Sequence, residues 1–179
     1  ERLVARSLRA AVDLEELGPI ALNVDCDILN ADGGTRCASI TAANLALRLG
    51  VRRLIAAGIC LPKNMRPTEE QRRSGWSPPA LSEEEQMAHE MRVMEHDVAA
   101  ISVGLIDGKS YPDLDYNLDS NADVDMNVVK VSNGAFVEVQ GTGEESTYQR
   151  QELDALLDMA DIGFEALFEM QKTILHGQQ

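Results

Sequence analysis

Aromatic side chains are scarce: one Trp, three Tyr and three Phe among 179 residues. The core must therefore rest on Leu, Ile, Val, Ala and Met. Long apolar runs are missing too. Leu54–Leu61 and Ala99–Ile106 fall far short of the ~20 residues a membrane-spanning helix needs. No signal peptide is visible, and the chain begins at Glu1 rather than Met, so a processed chain or a fragment is expected. Cysteine is limited to Cys26, Cys37 and Cys60. The odd count, the lack of CxxC spacing and the lack of a matching His exclude a disulfide framework and a zinc site. Reduced, mostly buried thiols and a cytoplasmic location are expected.

Basic residues are also in short supply. The net charge is −14, and it is uneven: residues 1–73 hold 11 Lys+Arg and 9 Asp+Glu, residues 74–179 hold 5 and 21. Affinity for a phosphate backbone comes from Lys and Arg, so non-specific nucleic-acid binding by the whole surface is excluded. Any RNA contact must come from a local basic stripe or through metal ions. Most of the acidic half reads as a solvated, solubilising surface. Hydrophobic residues at 44% and charged residues at 26% are ordinary for a globular domain and exclude global disorder.

What is present is a readable order of elements. Leu3, Leu8 and Val12 give helical spacing from residue 1 to about 17, closed by Gly18-Pro19. Ile20–Leu29 alternates Leu22, Val24, Cys26 and Ile28 with Asn23, Asp25 and Asp27, which predicts a strand. Gly33-Gly34 break it, and a helix is predicted from Thr35 to about Leu49 with Gly50 as its stop. Residues 61 to about 81 carry Pro62, Pro67, Gly75, Pro78 and Pro79 and read as a loop or mobile insertion. Ser82 followed by Glu83-Glu84-Glu85 opens a helix to about Asp97. Ala99–Ile106 is a strand, Asp107-Gly108 a turn and Tyr111–Tyr116 the return strand. Asp123–Val131 and Gly134–Gln140 form a second hairpin, and Gln149–Leu175 a long helix with Leu153, Leu156, Leu157, Ala160, Phe164, Leu167 and Phe168 as its apolar stripe. This order predicts an α+β fold, a mixed α/β sandwich, in one domain.

Three constellations could carry chemistry. In Asp32-Gly33-Gly34-Thr35-Arg36, two glycines let the backbone approach an anion, and the helix that follows offers free N–H groups and a positive dipole end. Thr35 adds a hydroxyl and Arg36 a planar fork that matches phosphate. The spacing fits neither the Walker loop nor the dinucleotide fingerprint, and a plain strand-to-helix turn with a surface arginine is the alternative. The second constellation is Asp113, Asp115, Asp119, Asp123 and Asp125, all odd-numbered. Asp123 and Asp125 should share a strand face, with Asp119 folding back toward them. Clustered carboxylates invite a cation, and Mg²⁺ needs only one or two of them plus water and phosphate. An EF-hand fails, because Leu118 and Val124 stand where Gly and Glu are required. A solvated acidic loop is the alternative. Third, Arg2, Arg6 and Arg9 form one helical stripe that could grip RNA or pair with a neighbouring subunit. His89 and His96 show no partner pattern and read as surface residues.

The residues around these constellations resemble the ribonuclease PH family. The resemblance rests on Ser7-Leu8-Arg9-Ala10, on the run from Val24 to Thr41 (VDCDILNADGGTRCASIT), on Ala99–Gly104, on Asp113-Leu114-Asp115-Tyr116, on Asp123–Val129 and on Phe136–Gly143. It implies the ribosomal protein S5 domain 2-like fold and a phosphate-dependent 3′-to-5′ exoribonuclease, also described as a tRNA nucleotidyltransferase. By that resemblance Gly34, Thr35 and Arg36 bind the attacking phosphate, and Asp119 and Asp125 hold Mg²⁺ and act in catalysis together with Arg36. Arg2, Arg6 and Arg9 face the RNA. It further implies inorganic phosphate as co-substrate, a tRNA 3′ end as the RNA partner and a hexameric ring of dimers. The family pattern has a further segment before the position of Glu1 and a shorter connection where this chain carries about 61–93. A sheet with an exposed edge is expected in consequence. A non-catalytic structural subunit of an exosome-like RNA-processing ring is the alternative reading.

Overall fold

Two long antiparallel strands, β1 (Val98–Ile106) and β3 (Val124–Val131), form the centre of the computed structural model, which describes residues 2–144 and 146–177. β2 (Lys109–Pro112) pairs with β1 and β4 (Phe136–Gly143) with β3, giving a four-stranded antiparallel sheet in the order β2-β1-β3-β4. The helices are α1 (Arg2–Ala11), α2 (Leu14–Leu17), α3 (Thr35–Ala56), α4 (Glu69–Arg73), α5 (Glu83–Val93), α6 (Tyr116–Asp119) and α7 (Arg150–His176). The α+β expectation is met.

Alternation along the central strands divides the core into two layers. Val98, Ala100, Val129 and Val131 face α1 and α3, where Ile40, Val51 and Ile55 are buried. Ala99, Ile101, Val103, Leu105, Val124, Met126 and Val128 face α7 and meet Leu156, Ala160 and Phe164. Both faces of β1 and β3 are therefore covered, and each fully buried aliphatic chain contributes about 1.5–3 kcal/mol. A charge network locks α3 to the helical layer beneath it. Arg48 donates to Asp97 at 2.7 Å, to Glu90 at 3.0 Å and to the Met94 carbonyl at 2.8 Å, while Arg52 donates to Glu90 at 2.7 Å.

Several expectations are corrected. Ile20–Leu29 forms no ladder with any described strand. Leu22, Val24, Cys26 and Ile28 do line one groove, but Asp25 lines it with them. Alternation specifies faces, however, and not hydrogen-bond partners. Gly50 does not end α3, which runs six residues further; the fully buried Val51 and Ile55 outweigh the ~1 kcal/mol penalty of a helical glycine. The return strand starts at Lys109, not Tyr111, since Asp107 (φ 50°) and Gly108 (φ 73°) make a two-residue turn that resumes pairing at once. Cys26 is exposed. His89 is fully buried, its Nε2 3.6 Å from Cys60 Sγ. Ser82 opens α5 as predicted, in a capping box with Glu85, and the helix stops at Val93 instead of near Asp97.

Candidate functional site

The site is assembled where the N-terminus of α3 crosses β1 and β3. Ser102 lies opposite Asn127 and Gly104 opposite Asp125 in the β1–β3 register. Asp125 and Asn127 point to the same face as Val129, toward α3. The buried Cys37, on the first turn of α3, donates from Sγ to Asn127 Oδ1 at 3.0 Å, which seats the helix end on the sheet. Burial pushes the Cys37 thiol up to about 12, so it stays protonated and serves packing, not nucleophilic chemistry.

Gly34 precedes α3 in the left-handed conformation, φ 51°, and no side chain caps the helix. The first turn contains no acidic residue. Its N–H groups and dipole are thus available to an anion beside Thr35 and Arg36. Arg36 is the residue that links the two sequence motifs: its Nη2 lies 3.9 Å from Asp125 Oδ2. The Asp125 carboxyl is held above the usual carboxylate range, first by burial and then by the charge of Asp119, against the lowering effect of Arg36. Asp119, Asp125 and Arg36 therefore share one electrostatic neighbourhood, with Glu144 as a weaker contributor.

The remaining acidic residues separate by role. Asp115 accepts from Leu118 N at 2.8 Å and caps α6. Asp123 accepts from Asp107 N at 3.0 Å and closes the β1–β2 turn. Asp123 and Asp125 thus serve different partners instead of acting as a pair. Asp113 sits at φ 52° and donates its N–H to the Ser102 carbonyl at 2.7 Å. Among the described residues no group of three or more His, Cys, Asp or Glu side chains is placed to hold a metal ion. The pair Asp119 and Asp125 still fits Mg²⁺ chemically. Both are oxygen donors, the charge of Asp119 opposes ionisation of Asp125, and Mg²⁺ takes the rest of its shell from water and phosphate.

The arginine stripe divides. Arg9 lines a groove of about 690 Å³ whose walls also include Thr35, Arg36, Val24, Asp25 and Ile28. Arg6 pairs with Glu138 on β4 at 3.0 Å. Arg2 is exposed at the start of α1. The sequence reading missed two contacts: Asp32 Oδ1 accepts from Tyr116 N at 3.0 Å, and Ser102 Oγ accepts from Leu114 N at 3.1 Å. No local pattern marks either contact, since the first spans 84 residues.

Residues 1–50 match the 3′ exoribonuclease family, domain 1, and residues 96–163 match the 3′ exoribonuclease family, domain 2. The chain is 44% identical over 174 residues to ribonuclease PH of Corynebacterium efficiens, covering 97% of this chain and 59% of that protein. It is 45% identical over 175 residues to ribonuclease PH of Rhodopirellula baltica, covering 98% and 61%. It therefore spans about three fifths of the length of these curated relatives. Among solved structures, rice Rrp46 superposes with a TM-score of 0.60 at 12% identity, over 98% of this chain and 64% of that one. An archaeal exosome core superposes with a TM-score of 0.50 at 18% identity, over 88% and 56%. These two likenesses speak to the fold.

Proposed function

This chain belongs to the 3′ exoribonuclease family, and from that membership we propose that it provides the phosphate and carboxylate site of a phosphorolytic 3′-to-5′ exoribonuclease of the ribonuclease PH type. The observation that supports this most directly is the approach of Arg36, at the uncapped start of α3, to Asp125 beside Asp119. Inorganic phosphate is seated by the N–H groups around Gly34, the Thr35 hydroxyl and the Arg36 guanidinium. An oxygen of that phosphate attacks the last phosphodiester phosphorus of the RNA. The new P–O bond forms as the bond to the penultimate 3′-oxygen breaks, releasing a nucleoside diphosphate. The proton lost by phosphate balances the one gained by the leaving 3′-oxygen, and no covalent enzyme intermediate is required.

Holding and neutralising the reactants is most of what such a transfer demands. Arg36 orients the nucleophile and faces the charge that builds on the transferring group. Asp119 and Asp125 would hold Mg²⁺, which when bound supplies charge neutralisation to the phosphate oxygens. Arg9, in the groove beside Thr35 and Arg36, reaches RNA phosphates, with Arg2 and Arg6 further along α1. The proposal extends to a tRNA precursor 3′ end as substrate, a hexameric ring of dimers, a cytoplasmic setting, and one domain with residues 61–93 as an insertion. Among the described residues no helix is long and apolar enough to cross a membrane.

The test is direct. The protein is incubated with a short RNA bearing a free 3′ end, Mg²⁺ and inorganic phosphate, and the products are resolved. Nucleoside diphosphates that appear only with phosphate are expected. Nucleoside monophosphates, or no product from the 179-residue chain together with a complementing N-terminal segment of a relative, would overturn the proposal.

A further inference from the structure

The phosphate cradle and the carboxylate segment are fastened to each other by contacts that neither motif uses for binding. Asp32 Oδ1 accepts the Tyr116 N–H at 3.0 Å and so satisfies the start of α6 from outside. Gly33, at φ 72°, lies so close to this segment that a Cβ on it would stand 2.1 Å from the Leu114 carbonyl oxygen. Ser102 completes the joint. Its Oγ accepts from Leu114 N at 3.1 Å, its carbonyl accepts from Asp113 N at 2.7 Å, and a Cβ on Gly34 would stand 3.0 Å from its Oγ.

The chemistry of Asp32 makes its position informative. A carboxylate three residues before Thr35 repels an anion held at the cradle, so it does not serve phosphate binding. Aimed at the first N–H of α6, the same charge is favourable, because a helix start attracts anions. α6 is one turn long and ends in Asp119, whose own N–H donates to the Asp115 carbonyl at 2.8 Å. Where Tyr116 is held therefore decides where Asp119 stands.

We propose that Asp32, with Ser102, is a positioning residue that clamps the 113–119 segment to the 32–34 turn and thereby sets Asp119 beside Asp125. The catalytic consequence rests on the phosphorolytic reading above, whereas the clamp itself does not. Both are tested in Asp32→Ala and Asp32→Asn, the second of which keeps an acceptor oxygen but removes the charge. Amide hydrogen exchange is followed on the full chain, and phosphorolysis is measured against phosphate concentration.

In Asp32→Ala, exchange over 114–119 should accelerate about five- to tenfold, as for loss of one net hydrogen bond, while 38–41 in α3 is unchanged. kcat should fall about 10- to 100-fold, the scale of a displaced catalytic group, with KM for phosphate within about twofold. Asp32→Asn should restore exchange and most of kcat. Unaltered exchange over 114–119 in Asp32→Ala overturns the clamp, whether or not the wild-type chain makes nucleoside diphosphates. Equal loss of kcat in both variants, with exchange over 114–119 restored in Asp32→Asn, shows that the charge acts other than by holding the segment and overturns the positioning role. A raised KM for phosphate with kcat intact overturns it in favour of a direct effect on the cradle. Absence of wild-type phosphorolysis, with exchange altered as expected, rejects the functional reading and leaves the clamp standing.

Discussion

The guanidinium of Arg36 and the carboxylate of Asp125 face each other at 3.9 Å, one on the second residue of α3 and the other on β3. Arg36 keeps about half of its side chain exposed and Asp125 about a quarter. The gap is long for a closed ion pair. It leaves the guanidinium fork free to engage a phosphate while Asp125 holds it from the other side.

Removal of the fork should therefore be severe for turnover and mild for folding. Arg36→Ala is expected to lower kcat/KM for phosphorolysis about 10²- to 10³-fold, the usual effect of losing one preorganised donor to developing charge. An exposed pair of this kind contributes little stability, so Tm should move by no more than ~2 °C. Arg36→Lys should recover only a small part of the activity, because an ammonium is not a planar fork. Steady-state kinetics and thermal unfolding of the two variants check this. Full activity in Arg36→Lys would mean that Arg36 acts only as a point charge.

Asp125 should contribute a pH dependence opposite to that of most carboxylates. Its native pKa is raised above the ordinary 3.8 by burial, then by Asp119. The native state thus binds the proton more tightly than the unfolded chain. Stability associated with this group is present below pH 3.8 and is lost as pH rises through the interval up to the raised native value. Asp125→Asn, which is neutral throughout, should unfold at a higher temperature than wild type at pH 7 and at a similar one near pH 3. A lower Tm for Asp125→Asn at pH 7 would show that the contact with Arg36 outweighs the desolvation and the repulsion from Asp119.

Part of the pH argument is the charge of Asp119 acting on Asp125, and the sequence indicated that much. Asp119 was expected to fold back from the preceding loop toward Asp125, and Gly34-Thr35-Arg36 was legible as an anion turn because strand-break, glycine pair and helix start are all local signals. Asp123 was assigned with Asp125 to one strand face and went elsewhere, since a two-residue turn at Asp107-Gly108 needed an acceptor for the Asp107 N–H. The contacts of Asp32 and Ser102 were invisible because their partners are fixed by tertiary packing. Ile20–Leu29 shows the reverse failure. Its apolar residues do reach one groove, yet pairing depends on a neighbour that no local pattern encodes.

The buried network around Arg48 should dominate the stability of the helical layer. Arg48 is 4% exposed and makes three hydrogen bonds, two of them to Asp97 and Glu90. Arg48→Ala removes three hydrogen bonds and leaves the Glu90 carboxylate to Arg52 and the Asp97 carboxylate to Asn44; removal of one partner of a buried pair costs about 3–5 kcal/mol. At this chain length that corresponds to a drop in Tm of roughly 6–20 °C. Urea unfolding checks the free energy directly. A loss under about 1 kcal/mol would indicate that water reaches Asp97 and Glu90 in the variant.

Gly33→Ala tests whether the two motifs must touch. The substitution combines φ 72° with a Cβ placed 2.1 Å from a backbone oxygen, so no rotamer change relieves it. Either the 113–116 segment moves away or the turn opens. Loss of at least ~2 kcal/mol of stability is expected from the left-handed strain and the displaced backbone together. Gly75→Ala, at φ 78° with open space around it, is the control and should lose only about 1–2 kcal/mol. Equal effects of the two substitutions, measured by urea unfolding, would show that the close approach of Gly33 to Leu114 carries no energy.

The segment 20–29 should make this polypeptide adhesive. Leu29 is 95% exposed, and Val24 and Ile28 stand partly in solvent beside a backbone without a ladder. Exposed apolar side chains on an unpaired, strand-patterned backbone are a template for pairing with another chain. The 179-residue protein should therefore associate with rising concentration, and Ile28→Lys with Leu29→Lys should shift the equilibrium toward monomer. Neither substitution touches a residue that is fully buried, so Tm should change by less than ~2 °C. Light scattering coupled to size-exclusion chromatography measures the effect. Wild-type and double-variant profiles that coincide across the concentration range would remove segment 20–29 as the source of association and point to a different face of the molecule.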